Sequence, residues 1–278
     1  MSSPVQRTDC PAEFKEKEGL VLAYGNSPNG WKCCCALQAL DEAGLLPNGF
    51  TAVPVFLQKD EQFTDWFTSY NPNSKMPFLV DNRPGKKPLV VFESGAILEF
   101  LARVYDKEHL YSFEDGDLYQ EMINWIHLCQ ANLGPQQGQL NHFSRYTEVK
   151  CDYSHERFRA EVLRIYSVYD KHLSTRTYLV GDKLSFADFC TQPWMRVLFW
   201  ASVDIDQFPS VAAYVKRIEE LPLIQRALKV PEQDLVTRVK SNPDLERQIM
   251  ERMKKAREEK EKEKEKEKAE QAETRGEI

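Results

Sequence analysis

The sequence lacks the long apolar run that a membrane-spanning helix requires. No stretch of about 18 apolar residues occurs in the 278 residues of the chain. We therefore predict no membrane span and no membrane partner. The opening residues, Met-Ser-Ser-Pro-Val-Gln-Arg, contain no apolar core. We accordingly expect no secretory signal.

An excess of positive charge is also missing. The chain has 37 Lys and Arg residues against 43 Asp and Glu residues, a formal net charge of −6. Domains that bind nucleic acid normally carry a basic face. The charge balance therefore predicts no nucleic-acid partner.

Neither the histidines nor the cysteines are spaced as metal ligands. The five His residues are scattered, and we predict no metal site. The seven Cys residues include three consecutive ones, Cys33, Cys34 and Cys35. Adjacent cysteines on one helix point in different directions, so they cannot easily pair or share a metal. This usage is typical of a reducing compartment and predicts a cytoplasmic protein.

The first half of the chain alternates between strand and helix patterns. Polar residues 1–17 lack periodicity and are expected to be a disordered lead-in. The pattern then predicts strands at 20–24, 50–57, 78–80 and 89–92, with helices at 30–43, 62–70 and 96–104. The order β-α-β-α-β-β-α is that of a thioredoxin-like domain, which we place at residues 18–105.

The second half is predicted to be all-helical. A linker at 106–117 leads into a helical domain at 118–230, with helices expected at 118–129, 156–173, 185–199 and 209–221. Ser185 and Asp188 have the spacing of a capping box, which marks a helix start. Residues 231–278 form a charged tail without an apolar heptad, expected to be a solvated helix that frays and is dispensable.

Residues 75–97 contain a pattern that suits recognition of an extended peptide. Pro77 opens a strand, and a cis Met76-Pro77 bond would aim backbone groups outward to pair with a ligand. Ser94 begins a helix, where free N–H groups and the helix dipole attract a carboxylate. Glu93 beside it can hold an ammonium group. The pair would bind a zwitterionic amino-acid end, as in glutathione.

These residues resemble the glutathione-binding element of the cytosolic glutathione S-transferases. The segments Asn26-Ser-Pro-Asn-Gly-Trp31 and Gly134–Phe143 are similar to the nu-class bacterial transferases and the fungal nitrogen-regulator branch. The resemblance covers about residues 18–230. It implies the two-domain transferase fold, glutathione as co-substrate, no metal, and a homodimer.

The resemblance also implies a donor for the glutathione thiolate after the first strand. In this branch the Asn of the Ser-Pro-Asn-Gly motif is associated with the sulfur, so Asn29 is the first candidate and Ser27 the second. The alternative is that Asn29-Gly30 only makes a turn and cap. Tyr24 is expected to pack at the strand end. Since no Cys stands at 27 or 29, a protein-thiolate mechanism is not expected, and the three consecutive cysteines are expected to be core residues.

Further ligand-binding candidates are assigned by position in the motif. Met76, Glu93 and Ser94 would contact the glutathione backbone, Lys75 would meet the glycyl carboxylate, and Gln62 matches a Gln of the bacterial pattern. Four residues could line the co-substrate site, although a core role is the more common one for such aromatics: Trp125, His142, Phe143 and Trp194.

The resemblance leaves three functions open. The first is a transferase that uses glutathione thiolate against an electrophile, a disulfide or a peroxide, as in detoxification, with the nu-like features favouring reduction. The second is a dedicated enzyme of fungal secondary metabolism that adds glutathione or isomerises an intermediate. The third is a non-catalytic regulatory protein. The ordinary residues before the first strand argue against an Asn-rich, prion-like regulator.

Overall fold

The computed structural model describes residues 8–114, 116–242, 244–251 and 254–255. It has the predicted architecture, a thioredoxin-like sheet domain followed by a helical domain. Parts of the predicted tail, at 243, 252–253 and 256–278, lie outside the described residues, as do residues 1–7 of the lead-in. Within the described part of the chain, no helix is both long and apolar enough to cross a bilayer.

The N-terminal domain contains four strands and four α-helices. The strands are β1 (Gly19–Tyr24), β2 (Phe50–Pro54), β3 (Phe78–Asn82) and β4 (Leu89–Phe92), and the helices are α1 (Glu13–Glu16), α2 (Pro28–Glu42), α3 (Asp65–Tyr70) and α4 (Ser94–Val104). The predicted strand at 50–57 is shorter because 3-10 turns follow it at Leu57–Lys59 and Glu61–Phe63.

The sheet order β2-β1-β3-β4 puts β1 between a parallel and an antiparallel neighbour. Every residue of β1 is buried. Since successive side chains of a strand point to opposite faces, both faces of β1 are covered. Leu20 and Leu22 join the core shared with the helical domain, whereas Val21 and Ala23 join a smaller core on the other face. The end of β1 and the start of the loop to α2 therefore lie between the two cores.

The C-terminal domain is a bundle of α-helices, and residues 117–241 contain seven of them. They are α5 (Asp117–Leu128), α6 (Gly134–Asn141), α7 (Asp152–Leu173), α8 (Phe186–Met195), α9 (Pro209–Glu219), α10 (Pro222–Ala227) and α11 (Leu235–Ser241). Helices α6 and α10 were not predicted, and α11 lies in the tail that was expected to be a solvated, fraying helix. A π-helical turn at Cys129–Leu133 joins α5 to α6, a feature frequently found at functional sites.

The predicted capping box starts α8. The Ser185 backbone N–H donates to Asp188 Oδ2 at 2.8 Å, and the reciprocal cap is also present. Asp188 Oδ1 additionally accepts from Leu179 N at 3.0 Å and from the Tyr214 hydroxyl at 2.9 Å. The buried carboxylate therefore ties three segments of the bundle together.

The expectation of a disordered lead-in is wrong for residues 8–17. Glu13–Glu16 is helical, and Phe14 is buried in the smaller core against Trp66 and Phe78. The carbonyls of Phe14 and Lys17 accept hydrogen bonds from Asn82 Nδ2, both at 3.1 Å. One buried aromatic among polar neighbours gives no periodicity, so the sequence pattern did not reveal this contact.

The expectation of a wholly solvated tail is wrong for residues 231–242. Helix α11 buries Val236 and Val239 against the body. Asp234 before it is fully buried and forms an ion pair with Arg196, with Nη1 and Oδ1 2.5 Å apart. Residues 231–242 are therefore part of the folded body.

Candidate active site

A cavity of about 270 Å³ opens where the two domains meet. The N-terminal domain lines it from three places: the start of α2, the loop into β3, and the start of α4. The helical domain contributes the π-helical turn, the start of α6 and one tryptophan of α8. The lining residues are Asn29, Asn71, Asn73, Lys75, Met76, Pro77, Glu93, Ser94, Cys129, Gln130, Gly134, Pro135 and Trp194.

Five of the seven predicted site residues come together in this cavity: Asn29, Lys75, Met76, Glu93 and Ser94. Ser27 and Gln62 do not line it. Ser27 is the residue before α2, and its hydroxyl faces the Gly25 carbonyl at 3.5 Å. Gln62 is buried in the 3-10 turn before α3. The geometry therefore favours Asn29 over Ser27 as the residue nearest a ligand.

The orientation of the Asn29 amide is set by Trp194. The Trp194 Nε1–H donates to Asn29 Oδ1 at 3.0 Å. An indole N–H can only donate, so the atom facing it must be the amide oxygen. The Asn29 NH₂ group is thus left as the donor end of this side chain. A donor is the group that a thiolate needs.

Two glycines of α6 give Trp194 its place. A Cβ on Gly134 would lie 3.0 Å from Trp194 Nε1, and one on Gly138 would lie 3.7 Å from Cη2. The indole therefore packs closely on the α6 backbone while its N–H reaches Asn29 in the other domain. The close approach explains the glycine at 134, whereas the 3.7 Å distance at Gly138 is an ordinary van der Waals contact.

The predicted zwitterion-binding pair lies at the start of α4. Ser94 is buried and its Oγ accepts from Gln130 Nε2 at 3.0 Å. Glu93 is exposed, with Asn73 Nδ2 donating to its Oε1 at 3.2 Å. The Glu93 backbone has φ of 72°, a left-handed conformation that is uncommon for a non-glycine residue and clusters at functional sites.

The loop into β3 contributes Lys75 and Met76. Lys75 is exposed at the rim, and its carbonyl accepts from Asn71 Nδ2 at 2.6 Å. The Met76-Pro77 bond is cis, as predicted. Met76 packs so closely on Gly25 that a Cβ there would lie 2.5 Å from the Met76 Cε. A side chain at position 25 would therefore displace the end of the flexible Met76 side chain at the edge of the cavity.

Most of the other aromatic candidates lie outside the cavity. Tyr24 is buried, its hydroxyl accepts from Trp31 Nε1 at 3.1 Å, and burial raises its pKa. Trp125 packs on Tyr169 and His172, while Phe143 stacks on Phe158 beside the exposed ring of His142. Among these candidates, Trp194 lines the described cavity and the others do not.

The three consecutive cysteines are core residues, as predicted. Burial raises the pKa values of the Cys33 and Cys35 thiols to about 12. Cys129 borders the cavity, but its side chain is fully buried and its thiol donates to the Cys190 carbonyl at 3.3 Å. Within the described residues, no cluster of three or more His, Cys, Asp or Glu side chains is suited to a metal ion.

Comparison with protein families now bears on this geometry. The N-terminal domain model of the glutathione S-transferases matches residues 20–103, and the C-terminal domain model matches residues 152–222. The chain belongs to the glutathione S-transferase family. The family predicted from the motifs is therefore confirmed.

Curated proteins that this chain resembles include bacterial and fungal ones. The disulfide-bond oxidoreductase YfcG of Escherichia coli is 32% identical over 209 residues, covering 74% of this chain and 93% of that protein. The transcriptional regulator URE2 of Saccharomyces cerevisiae is 30% identical, covering 78% and 70%. These relatives belong to the branch that the Asn26–Trp31 motif indicated.

Solved structures of the family agree with the fold. A glutathione transferase homologue from Lodderomyces elongisporus, with two glutathione molecules per subunit, has a TM-score of 0.70 and 32% identity. The match covers 77% of this transferase and 99% of that chain. Homologous structures of this fold therefore bind glutathione.

Sequence reasoning missed two groups of the site. Gln130 was not singled out, because only the π-helical turn brings it to Ser94, which precedes it by 36 residues. Trp194 was considered as a pocket aromatic, not as a hydrogen-bond donor to Asn29. A Trp on the apolar face of a helix gives no sequence signal for a partner 165 residues away.

Proposed function

We propose that this transferase is an enzyme that uses glutathione thiolate to reduce disulfides. The observation that carries the proposal is the Asn29 amide, whose oxygen is held by Trp194 and whose NH₂ group remains to stabilise a thiolate. Glu93 and Ser94 in the same cavity suit the zwitterionic end of glutathione. Relatives named as disulfide-bond oxidoreductases support the choice of a disulfide as the second substrate.

The proposed reaction proceeds in two exchanges. The glutathione thiolate attacks one sulfur of the substrate disulfide, forming a mixed disulfide with glutathione and releasing the other half as a thiolate. A second glutathione thiolate attacks the glutathione sulfur of the mixed disulfide, giving glutathione disulfide and the second substrate thiolate. Each released thiolate takes up a proton from solvent. Two glutathiones are oxidised and one disulfide is reduced. No cysteine of the protein takes part in either exchange.

The role of Asn29 follows from the pKa of a thiol. An ordinary thiol has a pKa of about 8.5, so only a small fraction is ionised at neutral pH. A hydrogen bond to the thiolate stabilises the ionised form and lowers the pKa. The start of α2 adds the partial positive charge of a helix N-terminus.

Glutathione binding and a substrate panel test the function. We expect calorimetry on the full chain to detect the binding of glutathione. We also expect turnover with hydroxyethyl disulfide to exceed turnover with cumene hydroperoxide or 1-chloro-2,4-dinitrobenzene. No binding at millimolar glutathione would exclude the proposal. Exclusive turnover of the aryl halide would favour a conjugating transferase instead.

Ser94→Ala should weaken glutathione binding. The substitution removes one hydrogen bond to a charged group, which corresponds to about a 10-fold to 150-fold loss of affinity. Calorimetry on the folded variant measures the change. Ser112→Ala provides a control, since Ser112 is also buried but contacts His109, away from the cavity. Equal affinities for wild type and Ser94→Ala would refute the assignment.

We further propose that the protein is a cytoplasmic homodimer. Its seven cysteines are free thiols, which suits a reducing compartment that also supplies glutathione. Strand β4 is the sheet edge and exposes Leu89 and Phe92, with 45% and 41% of their surface accessible. Such an edge is suited to contact a second copy. Light scattering that gave the mass of a single chain would exclude the dimer.

A further inference from the structure

Lys32 is a lysine with no exposed surface, located on α2 behind the ligand cavity. Burying a charged ammonium is costly unless other groups compensate for the lost water. Burial by itself lowers the pKa of Lys32, but the charge of the neighbouring Cys129 thiolate outweighs it, and the net shift is upward. The side chain is therefore a fixed positive charge in the protein interior.

The Lys32 ammonium connects to the cavity through Gln130. Its Nζ donates to Gln130 Oε1. Because an ammonium group can only donate, this contact identifies the Gln130 oxygen and leaves Nε2 on the other side of the amide. Gln130 Nε2 then donates to Ser94 Oγ at 3.0 Å. The amide is thus oriented from its buried end.

The second contact in this chain determines what Ser94 can offer a ligand. Its oxygen already accepts from Gln130, so the hydroxyl proton is the group left for a partner. Without a ligand this proton reaches Gln130 Oε1 at 3.3 Å. A carboxylate in the cavity is the stronger acceptor, because hydrogen bonds to charged groups are stronger than those between neutral groups. Each group then donates to the next one, from Lys32 to Gln130, from Gln130 to Ser94, and from Ser94 to the ligand.

The packing around Gln130 keeps this relay in place. A Cβ on Gly95 would lie 2.8 Å from Gln130 Cγ, so the glycine after Ser94 lets the Gln130 side chain cross the start of α4. Gln130 itself is held on the π-helical turn between α5 and α6. The relay therefore joins the two domains at the cavity.

We propose that Lys32 is a specificity-determining positioning residue, the buried counter-charge for the α-carboxylate of the γ-glutamyl group, acting through Gln130 and Ser94. The inference rests on the proposed function, since it takes glutathione as the ligand. It adds that a carboxylate at this end of the peptide is selected by an interior charge. The Lys32 side chain itself does not touch the ligand.

Lys32→Met removes the charge and keeps the length of the side chain. We expect it to weaken binding of glutathione by about tenfold, the lower end of what one hydrogen bond to a charged group contributes. The same loss is expected for glutaryl-Cys-Gly, which keeps the carboxylate and lacks the amine. Binding of 4-aminobutanoyl-Cys-Gly, which lacks the carboxylate, should stay within about twofold, because it has no charge for the relay to act on.

Calorimetry with the three peptides on wild type, Lys32→Met and a control distinguishes the outcomes. Lys183→Met is the control, since the Lys183 ammonium donates to the His109 carbonyl, away from the cavity. If Lys32→Met does not fold, Gln130→Met interrupts the same relay and should show the same selective loss. An equal loss for all three peptides, or no loss, would overturn the inference. Failure of wild type to bind glutathione would instead refute the proposed function.

Discussion

Asp234→Ala is expected to destabilise the protein by about 3–5 kcal/mol, because it leaves a buried arginine without its closest partner. The Arg196 and Asp234 side chains have no exposed surface, and their charged atoms lie 2.5 Å apart. Asp234 also caps α11 by accepting from Thr237 N at 3.0 Å. Both contacts are lost in the variant. Urea denaturation of wild type and variant measures the difference.

The pH dependence of this ion pair has a definite sign. Burial raises the pKa of Asp234, but the hydrogen bond and charge of Arg196 outweigh it, and the net shift is downward. A depressed pKa means that the stabilisation is present above the ordinary Asp pKa of about 3.9. It is lost as the pH falls through the lower pKa of the folded state. The difference between wild type and Asp234→Ala should therefore shrink in acid.

Glu232→Ala is the matched control in the same segment. Glu232 is exposed, and its contact with Asn26 Nδ2 at 3.3 Å is a surface hydrogen bond. Its removal should change stability by no more than about 0.5 kcal/mol. Similar stabilities for Asp234→Ala and Glu232→Ala would contradict the account. A truncated chain ending at residue 230 with the melting temperature of the wild type would also contradict the account.

The same segment supports the loop that leads into α2, where Asn29 lies. Asn26 Oδ1 accepts from Leu235 N at 2.9 Å and from Trp31 Nε1 at 3.1 Å. Its Nδ2 also donates to the Gln233 carbonyl at 3.4 Å. Asn26 lies three residues before Asn29, so loss of these contacts should lower activity along with stability.

Asn29→Ala is expected to reduce the rate of disulfide reduction by about 100-fold, the effect of removing one hydrogen-bond donor from a developing or stabilised anion. The variant loses the NH₂ group that Trp194 orients, and the bound thiol reverts towards its ordinary pKa. Steady-state kinetics with hydroxyethyl disulfide measures kcat/KM. Glutathione affinity should fall far less, because Glu93 and Ser94 remain.

Ser27→Ala is the control for this assignment. Ser27 precedes Asn29 by two residues, but its hydroxyl faces the Gly25 carbonyl and does not line the cavity. We expect near-normal turnover. A large loss of turnover in Ser27→Ala, together with normal turnover in Asn29→Ala, would make Ser27 the donor to the thiolate. Trapping of a kinetically competent mixed disulfide between glutathione and a protein cysteine would exclude both assignments.

Local sequence patterns predicted the fold because its elements are periodic. Apolar residues at helical and strand spacing predicted the order of strands and helices along the chain and most of the bundle, and the motif around Met76 and Ser94 located the cavity. Helix α6 was missed because Gly134-Pro-Gln-Gln-Gly138 has no apolar stripe. Its first glycine, Gly134, serves the close approach of Trp194 instead.

Contacts between distant segments could not be predicted. In the sequence, Lys32 is a polar residue next to three consecutive cysteines and gives no sign of burial. The tertiary structure buries it against Gln130, which lies 98 residues later in the chain. Val236 and Val239 form too short a stripe to stand out in a charged tail. Their burial depends on a surface of the body that local periodicity does not describe.

The ionisation of bound glutathione tests the central claim most directly. Thiolate absorbance in the ultraviolet, followed as a function of pH at saturating glutathione, gives the pKa of the bound thiol in wild type and in Asn29→Ala. We predict that the wild-type pKa lies well below the free value and that Asn29→Ala shifts it upward by about 1–2 units, the equivalent of one hydrogen bond to a charged group. An unchanged pKa in Asn29→Ala would contradict the claim that this amide stabilises the thiolate.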